Sequence, residues 1–205
     1  MAEEMAYGSL KQTSESRHSP APTGESCLFL QRYKNKNKRL TTISFILQKP
    51  LDEQFVPVFE NGNAIVLRHL IRSTEAIDYN IVRDVATAIA LDRKGPIWIL
   101  PEINIHERGL RESIGLSTNV GYTPDIMIES GSFIDVKSPL STDTISANAC
   151  KAFRQGGVAC ITDYSTGLDE RHINQYAKWV LKSQGYLFNE VFFYIKGKLY
   201  KRTKE

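Results

Sequence analysis

Cysteine is scarce in this sequence, long apolar runs are missing, and charge of one sign barely exceeds the other. Each shortage removes a class of protein. Cys27, Cys150 and Cys160 are odd in number, widely spaced and free of any C-x-x-C pairing, which argues against a disulfide framework and against a zinc knuckle. They read as the reduced thiols of a cytosolic protein. No apolar stretch approaches the roughly 18 residues that cross a bilayer. The first residues, MAEEMAYGSLKQ, have neither the basic nor the apolar region of a secretion signal. The expectation is a chain that acts in the cytoplasm without a membrane partner. A formal charge of +3 neither demands nor excludes a polyanionic partner, so any basic surface has to come from local clustering.

What is present suits a globular chain. A length of 205 residues with 41% hydrophobic content allows one sizeable core. Residues 1–26 are rich in Ser, Pro, Thr, Gly and charge and hold no periodic apolar pattern, which predicts a flexible tail. Residues 27–72 change to short β-prone runs, CLFLQRY, LTTISFIL, FVPVF and AIVL, with ENGN as a turn. They predict a small β-rich accessory region. Residues 73–205 carry the rest, opening with IDYNIVRDVATAIALDRKGP, a helix with Ile81, Val85 and Ile89 on one face, Asp78 as cap and Gly95-Pro96 as stop. IWILP reads as a buried strand, and INIHERGLRESIGLSTNVGY as a loop or short helix. After a hairpin, STDTISANACKAFRQGG predicts a helix with Ile145, Ala149, Ala152 and Phe153 inward. VACITDY is a further strand. LDERHINQYAKWVLKSQG predicts a third helix with Ile173, Ala177, Val180 and Leu181 inward, and EVFFYI and KLYKR pair around Lys196-Gly197. This order predicts an α/β (α+β) fold with helices on a sheet.

The hairpin TPDIMIESGSFIDVKSP carries the chemistry. A three-residue turn at Glu129-Ser130-Gly131, with glycine left-handed, sets Ile128 against Ser132 and Asp125 against Asp135. Alternation then puts Asp125, Met127, Phe133, Asp135 and Lys137 on one face and Ile126, Ile128, Ile134 and Val136 on the other. The apolar face should pack on a helix. Two like charges directly opposed are destabilising unless a cation or proton intervenes. A hard divalent ion such as Mg²⁺, with Mn²⁺ as the alternative, suits such an all-oxygen site. Lys137, on the same face, is placed to orient or deprotonate water or to stabilise charge growing on a phosphoryl group.

Pro124-Asp125 at a strand start, followed about ten residues later by Asp135-Val136-Lys137, resembles the signature of the PD-(D/E)XK nuclease superfamily. The resemblance covers about residues 75–163 and implies a restriction-endonuclease-like αβββαβ core, a mixed central sheet flanked by helices. ILPE, DVKSP, FRQGG and ITDYS also look like the C-terminal toxin domains of contact-dependent growth-inhibition proteins. Those are metal-dependent nucleases that usually cut tRNA, so the resemblance implies RNA before DNA as substrate. It also raises a neutralising immunity protein as a partner, which no residue here specifies.

Other candidates have two readings each. Glu102, at the end of IWILP, is a further ligand of the ion or an exposed strand-end acid. Glu75, Asp78 and Asp84 are candidates for an acid from the first helix, with Asp84 read as a solvent-facing charge. Asn148, Lys151 and Gln155 make one polar stripe at helical spacing, able to hold phosphate or water, or simply the boundary of an amphipathic helix. Lys34, Lys36 and Lys38, in RYKNKNKR, could line a phosphate backbone or protect an edge strand. His69, His106 and His172 have no metal-like spacing and read as surface or capping residues. Trp98 and Trp179 read as core. The function expected is a Mg²⁺-dependent endonuclease that hydrolyses phosphodiester bonds. The alternatives are a restriction or repair DNase, or a catalytically inactive nucleic-acid-binding or assembly protein of a mobile element.

Overall fold

The computed structural model describes residues 43, 45–103, 106–113, 123–129, 131–165, 167–182 and 189–204. Residues 1–26, and Lys34, Lys36 and Lys38, lie outside them. The chain divides into Met1–Thr41 and Thr42–Glu205, and every element below belongs to the second unit. Its strands are β1 (Phe55–Asn61), β2 (Ala64–His69), β3 (Pro96–Ile99), β4 (Ile126–Ile128), β5 (Phe133–Lys137), β6 (Val158–Thr162), β7 (Glu190–Ile195) and β8 (Lys198–Thr203). The helices are α1 (Tyr79–Arg93), α2 (Arg108–Ser113), α3 (Ile145–Arg154) and α4 (Ile173–Leu181). The fold is mixed α/β.

All eight strands form one mixed sheet in sequence order. Hairpins join β1 to β2, β4 to β5 and β7 to β8, and β3 pairs antiparallel with β4. Three neighbours pair in parallel, β2 with β3, β5 with β6 and β6 with β7, because α1, α3 and α4 return the chain across the sheet between them. Strands β1 and β2, from the stretch read as an accessory region, are therefore the first strands of the same sheet. Gly62 closes their turn with φ of +58°, and Lys196 and Gly197, both with positive φ, close β7–β8. Among the described residues β1 and β8 are the outer strands. β1 carries Pro57 and a register shift before Phe59, and β8 carries Lys198, Lys201 and Arg202.

The core divides between the two faces of the sheet. Helix α1 buries Val82, Val85, Ala86 and Ile89 against Ile97, Ile99, Ile126, Ile128, Ile134 and Cys160. Each fully buried Ile contributes roughly 1.5–3 kcal/mol. On the other face α3 and α4 bring Ile145, Ala149, Ala152, Ile173, Ala177 and Val180 onto Ala159, Ile161, Val191 and Phe193. A third cluster joins Leu100 and Ile103 to Ile43, Leu47, Phe55, Ile71, Met127 and Phe133. Phe133 belongs to this cluster, while Asp135 and Lys137 face Ala159 and Ile161 in register with the α3–α4 core. The polar end of β5 thus stands where the two apolar clusters meet.

Several local expectations need correction. The described part of LTTISFIL is helical rather than extended: residues 45–47 are helical, with Ile46 buried and Ile43 and Leu47 packed inward at helical spacing. Asp78 occupies the N-cap position of α1 but makes no side-chain cap hydrogen bond, because its carboxylate goes to Arg72. Phe153 is 42% exposed rather than inward, since Ala152 takes the buried position in the last turn of α3. No helix among the described residues is long and apolar enough to cross a membrane.

Candidate active site

The hairpin forms with the register that its alternation predicts. The Gly131 amide donates to the Ile128 carbonyl, the Ile128 amide to the Ser132 carbonyl, and Gly131 takes φ of +76°. Ile126 pairs with Ile134 and Met127 with Phe133, so the same register brings Asp125 opposite Asp135. The Val136 amide donates to Asp125 Oδ2 at 2.9 Å, which turns that carboxyl toward β5. Because the Leu100 amide donates to the Asp125 carbonyl, the end of β3 sits beside it.

Asp125 and Asp135 each act on the other's ionisation, and both are largely withdrawn from water, Asp135 fully and Asp125 with 13% of its side chain exposed. Burial first, then the Asp135 charge, pushes Asp125 up to about 7, against the pull of the Val136 amide, Arg72 and Lys137. Burial also raises Asp135, opposed chiefly by Lys137. Lys137 Nζ is ion-paired with Asp135 Oδ2. That oxygen is buried, and the Lys137 ammonium is the cation that offsets it. The Asp135 side chain is 2% exposed and that of Lys137 20%, so the ammonium is the end of the pair nearer water.

Arg72 is the residue that the sequence patterns did not single out. Its guanidinium is buried and reaches Glu102 Oε1 through Nη1 and Asp78 Oδ2 through Nη2, each at 2.9 Å. The same Nη1 lies 3.9 Å from Asp125 Oδ1. One cation therefore links three acids from separate segments. Glu102 and Asp78 are themselves well exposed, and Glu102 joins the site through Arg72. Nothing in the RHLIRS stretch announces this, because Arg72 meets its partners only once β2 and β3 lie side by side.

The other candidates scatter. Asp84 pairs with its neighbour Arg83 on the exposed side of α1, and the Glu75 amide bonds Ser73 Oγ. Asn148 is spent on the Thr144 carbonyl, and Lys151 is exposed. Gln155 lies at the end of α3, with Oε1 buried and unpartnered, just before Gly157, which packs against Asp135. Ser138 Oγ and Thr162 Oγ1 share a hydrogen bond at 2.7 Å, tying the residue after Lys137 to β6.

His69 is fully buried, not superficial: it contacts Gln54 Oε1 at 3.2 Å and accepts from the Ile71 amide. Burial, then Arg68, lowers its pKa to about 4. His172 is exposed, as expected, whereas Trp179 is 38% exposed on α4 instead of lying in the core.

The donor set fits a hard divalent cation: two carboxyls held together at the cost of their ionisation, with the Lys137 ammonium as the present counter-charge on Asp135. Among the described residues no group of three or more His, Cys, Asp or Glu side chains is gathered to hold a metal. An ion here would rest on Asp125 and Asp135, with water filling its remaining positions, as Mg²⁺ tolerates. Compared with family models, curated proteins and solved structures, the chain gives no match.

Proposed function

We propose that the chain is a Mg²⁺-dependent endonuclease of the PD-(D/E)XK kind, acting on RNA, with tRNA-like molecules as the substrate class. The observation that carries this reading is the pairing of Asp125 and Asp135 at the mouth of an apolar hairpin, with Lys137 on Asp135. The run α1, β3, β4, β5, α3, β6 supports it, matching the order that the superfamily resemblance implies apart from the short helix α2 between β3 and β4. RNA rather than DNA rests on the likeness to toxin domains.

Asp125 and Asp135 would hold the ion, with Glu102 reaching the same rim through Arg72. Bound there, Mg²⁺ or Mn²⁺ would supply a Lewis acid for a phosphoryl oxygen and lower the pKa of water. Lys137 is placed to offset charge on the phosphoryl oxygens and to guide the attacking water. Arg72 keeps Asp125 and Glu102 from repelling one another. Burial of the carboxyls strengthens each of these interactions.

Purified protein incubated with tRNA, other RNA and duplex DNA, in Mg²⁺ or in EDTA, tests the reading. Metal-dependent cleavage should fall at least about a hundredfold in Asp135→Ala and in Lys137→Ala, in the range expected for groups that act on the reacting atoms. Cleavage that persists in both variants removes the site. One observation favours the second reading, a binding protein without catalysis: Arg72 already contacts Asp125 and Glu102. RNA binding with no cleavage in any metal would decide for it.

A further inference from the structure

Helices α3 and α4 each follow a strand that ends at the Lys137 end of the sheet, and each returns to a parallel neighbour. Their first turns therefore lie toward the same end of the sheet as Lys137. Between them opens a depression of about 940 Å³, lined by Asp143, Asn174, Gln175, Lys178, Trp179 and Lys182 among others. Gln175, Lys178, Trp179 and Lys182 follow the three- and four-residue spacing of a single helical stripe. Trp179 is 38% exposed, yet its ring is braced by Tyr176, at 5.5 Å between centroids and a tilt of 52°. Tyr176 in turn is buried, with its centroid 6.3 Å from that of Phe193.

We propose that this depression is a binding subsite for a single-stranded nucleotide segment. A base stacks on the Trp179 indole, Lys178 and Lys182 neutralise the flanking phosphates, and Gln175 offers hydrogen bonds to a base edge, while Asn174 has its Oδ1 held by Arg202 Nε at 2.8 Å. The chemistry fits single strands in particular. An aromatic face accepts any unpaired base, whereas a duplex keeps its bases stacked on one another. Two lysines outnumber the one acid at the rim, Asp143. The inference deepens the nuclease reading by naming where substrate lies beyond the cleavage centre, and it rests on a nucleic acid being the partner.

Binding measured in EDTA separates the subsite from catalysis. A short unstructured fluorescein-labelled RNA is titrated into the full-length protein and followed by anisotropy at several salt concentrations. Trp179→Ala should weaken binding about tenfold, with Trp179→Phe close to wild type. Lys178→Ala combined with Lys182→Ala should lower the slope of log affinity against log salt by about 1.4. Circular dichroism and melting of each variant report the fold, and the lysine pair, being exposed, decides the matter should Trp179→Ala unfold. Unchanged affinity in Trp179→Ala, an unchanged salt slope, or no RNA binding by wild type overturns the subsite. If Trp179-dependent binding is found without metal-dependent cleavage, the subsite stands and the nuclease reading fails. If a Trp179→Ala protein binds as wild type and still cleaves with metal, the subsite fails and the nuclease reading stands.

Discussion

Two carboxyls side by side, one buried and one nearly so, cannot both ionise without something positive nearby, and this chain supplies Lys137 to one and Arg72 to the other. The supply is incomplete, since both carboxyls remain raised and desolvation is the largest cause in each. Replacing Asp125 by Asn keeps an oxygen for the Val136 amide and removes the charge that burial penalises. In EDTA at about pH 8, Asp125→Asn should therefore gain roughly 1 kcal/mol, or about 2–4 °C in Tm, over wild type. On the proposed nuclease reading, the same variant should show neither cleavage nor a gain in Tm with Mg²⁺. Differential scanning fluorimetry with and without Mg²⁺ reads both effects, and a variant that melts lower in EDTA would show that the carboxyl is not strained.

At the scale of elements, the turn between α3 and β6 sets how closely β5 is approached. A Cβ on Gly157 would stand 3.2 Å from the Asp135 amide nitrogen, 3.3 Å from its Cβ and 3.4 Å from the Phe133 carbonyl oxygen. These neighbours are β5 itself, a strand held between β4 and β6, and it has nowhere to move. Gly157→Ala should cost about 1–3 kcal/mol and reduce cleavage by shifting Asp135, whereas Gly167→Ala, which meets nothing within 4 Å, should be nearly neutral. Urea unfolding and initial cleavage rates of the two variants make the comparison. The β4–β5 hairpin was legible in the sequence because a period of two, a glycine in the turn and the misplaced acids all require one register. The helices were legible from their spacing, except where neighbouring positions compete, as Ala152 and Phe153 do. LTTISFIL misled because its β-branched residues favour strand while Ile43, Ile46 and Leu47 also satisfy a helical period. Arg72 and the exposure of Trp179 were not legible, since each depends on which elements pack together across the sheet.

For the molecule as a whole, two groups tilt stability against pH in opposite senses. His69 is held neutral in the fold, whereas the unfolded chain takes up a proton below its ordinary value of 6.5. The His69 contribution to stability is therefore lost as pH falls from 6.5 toward 4, by roughly 3 kcal/mol, and His69→Gln should remove that contribution. Asp125 and Asp135 act the other way. Their raised values mean that the metal-free fold binds protons that the unfolded chain has released, so stability declines as pH rises from the ordinary carboxyl range through about 7. Urea midpoints in EDTA should fall between about pH 6.5 and 8, and on the proposed metal site Mg²⁺ should erase the fall. A flat alkaline limb without metal would contradict the raised pair. The rims of the sheet bear on a different property. A second copy drifting alongside the described strands finds a proline kink and a slipped register at one flank and a fringe of cations at the other. Neither is a ledge on which extended chains could stack into fibres, so concentrated solutions of the folded protein should stay clear.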